Sequence, residues 1–456
     1  MKKTLTLCFC ALVFSAFAQP VIEWQRALGG NAYEYGHCIQ PTSDGGYITA
    51  GTASSSNNGD VGSSQGSGDC WVVKLDAAGD IQWQRTLGGT DADEAHSIQQ
   101  TSDGGYILGA HTESDDGDVS GHHNNRDIWV VKLDATGAIE WQRALGGSGN
   151  ENMGSVQQTT DGGYFVCGTA GSSNGDVVGN HGVGDIWVLK LDPTGAIQWQ
   201  KALGGSVSDY ASKALQAADG GYVIAGFTRS IDGDLSFSRG EEDIWIIKLT
   251  ATGAIEWSNT FGGNKQDLST SIRQAADGGY IIAGATNSTD GDVTSLQGPG
   301  TSDIWLLKIT PEGTLEWERT LGGTKLDLAT SIQVTSDGGF ILLGNSQSND
   351  GHLTSNYGDL DCWIVRLDAT GGIIWQKSIG GTGNDQGFSI LQTTDGGFIL
   401  NSGVYSNDID VSGNHGDADF WVVKLSSGIT GVEDAPAPES SALSIFPNPA
   451  SSLVRI

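Results

Sequence analysis

Fourteen tryptophans in a chain of 456 residues fall into two interleaved series of seven. Trp24, Trp83, Trp141, Trp199, Trp257, Trp317 and Trp375 form the first, at intervals of 58 to 60 residues. Trp71, Trp129, Trp187, Trp245, Trp305, Trp363 and Trp421 form the second, each twelve residues ahead of the next member of the first where one follows. A fixed period of this size marks one supersecondary unit copied along the chain, each copy covering its neighbour's apolar face. Continuous repetition from about residue 21 to 427 argues for one large domain rather than two or three ordinary ones.

The second repeat shows what the unit is. Ser-Asp-Gly-Gly joins expected strand A (Ala95–Thr101) to strand B (Tyr106–Thr112), and Asp-Ala-Thr-Gly joins strand C (Asp127–Asp134) to strand D (Ala138–Leu145). Both turns supply the glycine that a tight hairpin needs, and no helical period appears. Four antiparallel strands per 58 residues is the size of a propeller blade. The fold class is therefore all-β, a seven-bladed β-propeller of four-stranded antiparallel blades spanning residues 19–428. The last blade has a strand C, Phe420–Leu425, but no strand D after it, whereas an unpartnered D strand, Val21–Leu28, opens the array. Pairing the two closes the ring and leaves no sheet edge exposed. Length changes fall only after strand B, near Ser54–Asn58 and Pro299–Thr301, so the face carrying the B–C and D–A connections is the expected working surface.

Composition narrows the partners. The net charge is −31, and removal of Lys2 and Lys3 with a leader leaves 21 basic against 54 acidic residues, 21 − 54 = −33. Such a field disfavours nucleic acid and anionic membrane surfaces and favours cations or simple solubility. Residues 1–18 read as a secretory signal, with Lys2 and Lys3, an apolar run, and Ala-Phe-Ala before Gln19. No second apolar stretch of about 20 residues is present to form a transmembrane segment. Cys38, Cys70, Cys167 and Cys362 replace small or apolar residues of other repeats and read as buried thiols rather than a disulfide framework.

Three acidic series recur once per blade. Glu34, Asp93, Glu151, Asp209, Asp267, Asp327 and Asp385 each stand ten residues after a D-strand tryptophan, in the expected D–A connection. They are the candidate metal ligands: at the mouth of a central channel their oxygens suit calcium or another hard cation. The alternative is that each carboxylate accepts backbone N–H groups of its own turn. Asp60, Asp118, Asp176, Asp234, Asp292 and Asp410 form a second series in the B–C loops, with His352 in the sixth blade, and read as calcium loops or Asx-turns. A third series precedes each C-strand tryptophan by two (Asp69, Asp127, Asp185, Asp243, Asp303, Asp361, Asp419), with a Lys or Arg three residues after that tryptophan, and reads as loop anchoring. His123, His181 and His415 share one loop position in three blades and with His122 gather a metal only if loops fold across the face. No nucleophile triad, phosphate loop or paired-cysteine motif emerges, and no catalytic residue or organic cofactor site is assigned.

The hairpin VVKLDATGAIEWQRALGG (residues 130–147) resembles the tryptophan-docking repeat of pyrroloquinoline-quinone-type propellers. The resemblance covers one hairpin per blade; it implies propeller architecture and does not carry over the quinone chemistry. The whole repeat, DGG-Y-I-x-x-G followed by D-x-W-V-V-K-L-D, is similar to tandem arrays in exported proteins of Bacteroidetes-type bacteria. After a linker at 429–441 comes LSIFPNPASSLVRI, within 442–456, which resembles the opening of the type A C-terminal sorting domain of type IX secretion through Phe446-Pro447-Asn448-Pro449. The resemblance implies export through the periplasm by type IX secretion, with a sorting domain cut short here. The expected function is a secreted or cell-surface module binding glycan or protein; the competing readings are a polysaccharide-degrading enzyme and a structural spacer of an adhesin.

Overall fold

The computed structural model describes residues 19–235, 237–298 and 301–428. The expected signal peptide, the linker and the sorting-domain segment lie outside the described residues.

Seven four-stranded antiparallel sheets are arranged as blades, with no helix among the described residues. Strand β1 is Ile22–Leu28; β2–β5 form blade 1 (residues 34–87), β6–β9 blade 2 (93–145), β10–β13 blade 3 (151–203) and β14–β17 blade 4 (209–261). Blade 5 is β18–β21 (267–321), blade 6 β22–β25 (327–379), and blade 7 β26–β28 (385–425) completed by β1. The closing pair is antiparallel, Trp24 opposite Lys424 and Leu28 opposite Phe420, so the ring is sewn shut as the strand count required.

In blade 2, β7 and β8 begin where expected, at Tyr106 and Asp127, and β9 begins one residue late at Ile139. Strand β6 starts at Asp93, two residues earlier than expected. The acidic residue therefore belongs to strand A itself and not to the connection before it. Every A strand also carries a bulge, seen in β6 as a register shift between Ala95 and Ser97, which re-aims the side chains beyond it.

The C-strand tryptophans are fully buried between blades. Trp129 donates its indole N–H to Gln142 Oε1 of its own D strand at 2.8 Å, so burial leaves no orphaned donor. The D-strand tryptophans, partly buried except for the buried Trp375, couple one blade to the next. Trp83 meets Tyr106 edge-on, ring centroids 5.6 Å apart, and its ring covers the C–D turn of blade 2. There Gly137 has φ of +81°, and a methyl group on it would meet Trp83 Cζ3 at 2.7 Å, so both backbone and space require glycine. The strand-C cations explain the Asp-Gly-Gly turns. Lys190, almost completely buried, pairs with Asp161 at 3.0 Å and donates to Leu191 O at 3.0 Å, and each blade repeats the pairing with its own Lys or Arg.

Candidate functional site

Each blade junction is organised around the Gly-Gly pair that ends strand D. At five junctions the first glycine directs its N–H to the B–C loop acid, as from Gly88 to Asp118 at 3.3 Å and from Gly262 to Asp292 at 3.1 Å, whereas Asp410 Oδ2 at the last junction has no partner. In blade 6 the acceptor is His352 Nδ1. The second glycine donates to the strand-A carboxylate four residues on: Gly30 to Glu34, Gly89 to Asp93, Gly147 to Glu151, Gly205 to Asp209, Gly263 to Asp267, Gly323 to Asp327 and Gly381 to Asp385, at 2.7–2.9 Å. These seven candidate metal ligands are fully buried, one per junction, and the fold does not gather them. A serine of the B–C loop adds a second donor to each, through Oγ in Ser114 and Ser230 and through N–H in Ser55 and Ser172.

The third series lies against the first. A methyl group on Gly322 would meet Asp327 Oδ2 at 2.7 Å and Asp303 Oδ1 at 2.8 Å, so two buried carboxylates converge on one glycine. The other junctions repeat the pairing, and Oδ1 of all seven strand-C aspartates has no hydrogen-bond partner. Burial pushes Asp303 and Asp361 up to about 6, against the loop N–H groups they accept, and the neighbouring carboxylate adds to the rise. His123, His181 and His415 each set Nδ1 2.7–2.9 Å from their own blade's strand-C aspartate and are not brought together, although His123 Nε2 also lies 3.7 Å from Asp176 of the next blade.

Against this sevenfold background, the B–C/D–A face is irregular. Tyr33, in the D–A connection, is 45% exposed and Tyr405, in the last B–C loop, 39%. With Tyr35 at the start of β2 they form a triad, Tyr33 stacked on Tyr35 with centroids 6.3 Å apart and Tyr405 inclined at about 60° to both. The Tyr35 and Tyr405 hydroxyls hydrogen-bond. Tyr210 occupies the Tyr35 position three blades away, stacked on Phe227 at 5.0 Å with Arg229 over its ring. Phe237, Ile231, Val183 and Tyr357 add exposed apolar surface on the same loops.

The channel below is also uneven. A cavity of about 250 Å³ is lined by serines such as Ser97 and Ser155, by His37 and by Lys213 and Arg273. Burial lowers the pKa of Lys213, and holds Arg273 down at about 10. Lys213 Nζ donates to Gly154 O at 3.1 Å and Arg273 Nε to Gln333 Oε1 at 2.7 Å. A strongly acidic protein thus places two cations in its axial channel. His37, His96, His111 and Glu94 break the repeat at the junction of blades 1 and 2; none was singled out by the sequence. The available signal was the paired His37 and His96 at one repeat position, where other blades carry Gly154, Ser212 or Thr270.

No known family model matches the chain. Among curated proteins, the regulatory protein FlaEY of Caulobacter vibrioides is 24% identical over 242 residues, covering 48% of this chain and 25% of its own length. The chain thus spans a quarter of that relative. Similar solved structures include a protein of unknown function from Dyadobacter fermentans, 10% identical, covering 90% of this chain and 99% of that one with a TM-score of 0.45. Another, from Bacteroides caccae, is 12% identical, covering 68% and 90%, with a TM-score of 0.40. A third is YCF48 bound to D1 peptide, 9% identical, covering 91% and 99%, with a TM-score of 0.46.

Proposed function

We propose that the chain is an exported binding module, secreted or held at the cell surface, whose B–C/D–A face takes a glycan or protein ligand. The observation that carries this reading is the Tyr33–Tyr35–Tyr405 triad: three rings set at two inclinations, those of Tyr33 and Tyr405 exposed, a set of tyrosines that no other blade junction carries. Aromatic faces of this kind offer large contact area at little entropic cost, and their hydroxyls supply polar anchoring. Export rests on the Ala-Phe-Ala/Gln19 site and the Phe446–Pro449 segment read together. The scaffold suits the task, because rigid blades hold the variable loops.

Two experiments test the reading. In a type IX secretion-competent host, the protein is expected to lose its first 18 residues and to reach the surface or medium; periplasmic retention of the intact chain overturns the export route. A screen of glycans, polysaccharides and surface proteins, scored for both binding and cleavage, separates the function classes. Retention of a ligand without cleavage supports the module, polysaccharide hydrolysis supports the enzyme, and silence toward both glycans and surface proteins supports the spacer.

A further inference from the structure

We infer that Glu94, His96 and His111 form a binding site for one divalent transition-metal ion of the zinc class, set into the channel wall at a single blade junction. It is independent of the loop-face reading. Glu94 and His96 come from β6 and His111 from the adjoining β7, where it pairs directly opposite Glu94. One carboxylate oxygen and one nitrogen from each ring all lie within 4.8 Å of one another. Two imidazoles and a carboxylate make a donor set suited to Zn²⁺ and its first-row neighbours, and too nitrogen-rich for calcium.

Three observations point to a ligand rather than to packing. His111 is 5% exposed, yet neither ring nitrogen has a hydrogen-bond partner. Its Nε2 is 3.2 Å from Glu94 Oε2, near enough for charge pairing but outside hydrogen-bond alignment. His96 Nε2 is likewise unpartnered and 3.9 Å from the same carboxylate oxygen. Two unpartnered nitrogens, His96 Nε2 and His111 Nε2, facing one carboxylate oxygen carry a desolvation cost that a shared cation would relieve.

The surroundings fit. His37 lies beside the site on blade 1, its ring 5.1 Å from that of His96 and stacked on Phe388. Arg126, the nearest cation on blade 2, is committed to Glu113 at 2.7 Å. Metal–ligand bonds of about 2.0–2.2 Å put adjacent donors roughly 3.3 Å apart, so the three groups must draw in by about 1 Å. Glu94, with 39% of its side chain exposed, has the freedom to do so.

The test uses untagged, EDTA-stripped and dialysed protein titrated with Zn²⁺ by calorimetry, with Co²⁺ as a spectroscopic substitute. One ion per chain is expected, with visible Co²⁺ bands of a low-symmetry nitrogen–oxygen site. A thousandfold excess over Kd is expected to raise the melting temperature by about 5 °C. His96→Ser and His111→Thr introduce residues that other blades carry at those positions, Ser212 and Thr52. Each is expected to weaken Zn²⁺ binding at least tenfold, whereas His181→Asn in a distant loop leaves it unchanged. If a histidine variant folds poorly, Glu94→Gln, the residue found at Gln386, gives the same readout. Absence of stoichiometric binding, or binding that survives the double histidine variant in a folded protein, overturns the assignment.

Discussion

Asp303→Asn is expected to stabilise the protein at alkaline pH and to do nothing at acid pH. Asp303 is completely buried; its Oδ2 accepts the Gln297 N–H at 2.6 Å, its Oδ1 accepts nothing, and Asp327 lies against it. Burial and that neighbour raise its pKa from 3.8 to about 6. A folded-state value above the unfolded one contributes stability that is complete below pH 4 and lost as pH rises through about 6. Two pKa units correspond to about 3 kcal/mol, and coupling to Asp327 reduces the share that one substitution recovers to about 2 kcal/mol. Unfolding entropy of about 2.1 cal/mol/K per residue over roughly 400 residues converts this to a rise of about 2–3 °C at pH 8. The assay is calorimetric melting of both proteins between pH 4 and pH 8. Repulsion within so acidic a molecule also weakens it at high pH, but equally in both proteins, so it cancels in the difference. A difference that stays constant with pH, or a variant less stable at pH 8, refutes the buried acid pair.

Calcium supplies a second test. The strand-A carboxylates already accept internal donors, so millimolar Ca²⁺ is expected to raise the melting temperature no more than monovalent salt of equal ionic strength. A calcium-specific rise that Asp209→Asn and Asp267→Asn abolish would show instead that the ring holds the ion. Deleting Val21–Leu28 removes the partner of β28 (Asp419–Leu425) and is expected to give aggregation and a lowered melting temperature, seen by light scattering and calorimetry. Lys190→Met strands Leu191 O and frees the Asp161 turn, and is expected to cost about 1–3 kcal/mol in denaturant unfolding.

What the sequence conveys is whatever repeats at fixed spacing. Blade number, strand order and ring closure follow from tryptophans, Gly-Gly pairs and turn residues whose roles are local and copied seven times. Strand A began two residues early because the energy of Asp93 lies in its contacts with Gly89 and Ser114, the latter 21 residues away, and not in strand propensity. The acid pairs were invisible because their members, such as Asp303 and Asp327, stand 24 residues apart and meet only once the ring forms. The channel histidines escaped for the converse reason: His37 and His96 share a position in only two of seven blades and His111 is unique at its own, so the sevenfold repetition does not flag them. His111 in particular enters from strand B, a position where other blades carry Thr52 or Phe227.

The claim that function resides on one face of a sevenfold scaffold is tested most directly by a paired substitution on each face. Tyr33→Ser with Tyr405→Ser installs the residues of Ser208 and Ser54 at the loop face, and Ile197→Ser with Ile255→Ser alters half-exposed D-strand positions toward the opposite turns. Affinity for the ligand found in the glycan and protein screen, measured by calorimetry, is expected to fall at least tenfold in the first pair and to stay at the wild-type value in the second. Equal affinity in the tyrosine pair, or loss confined to the isoleucine pair, would contradict it.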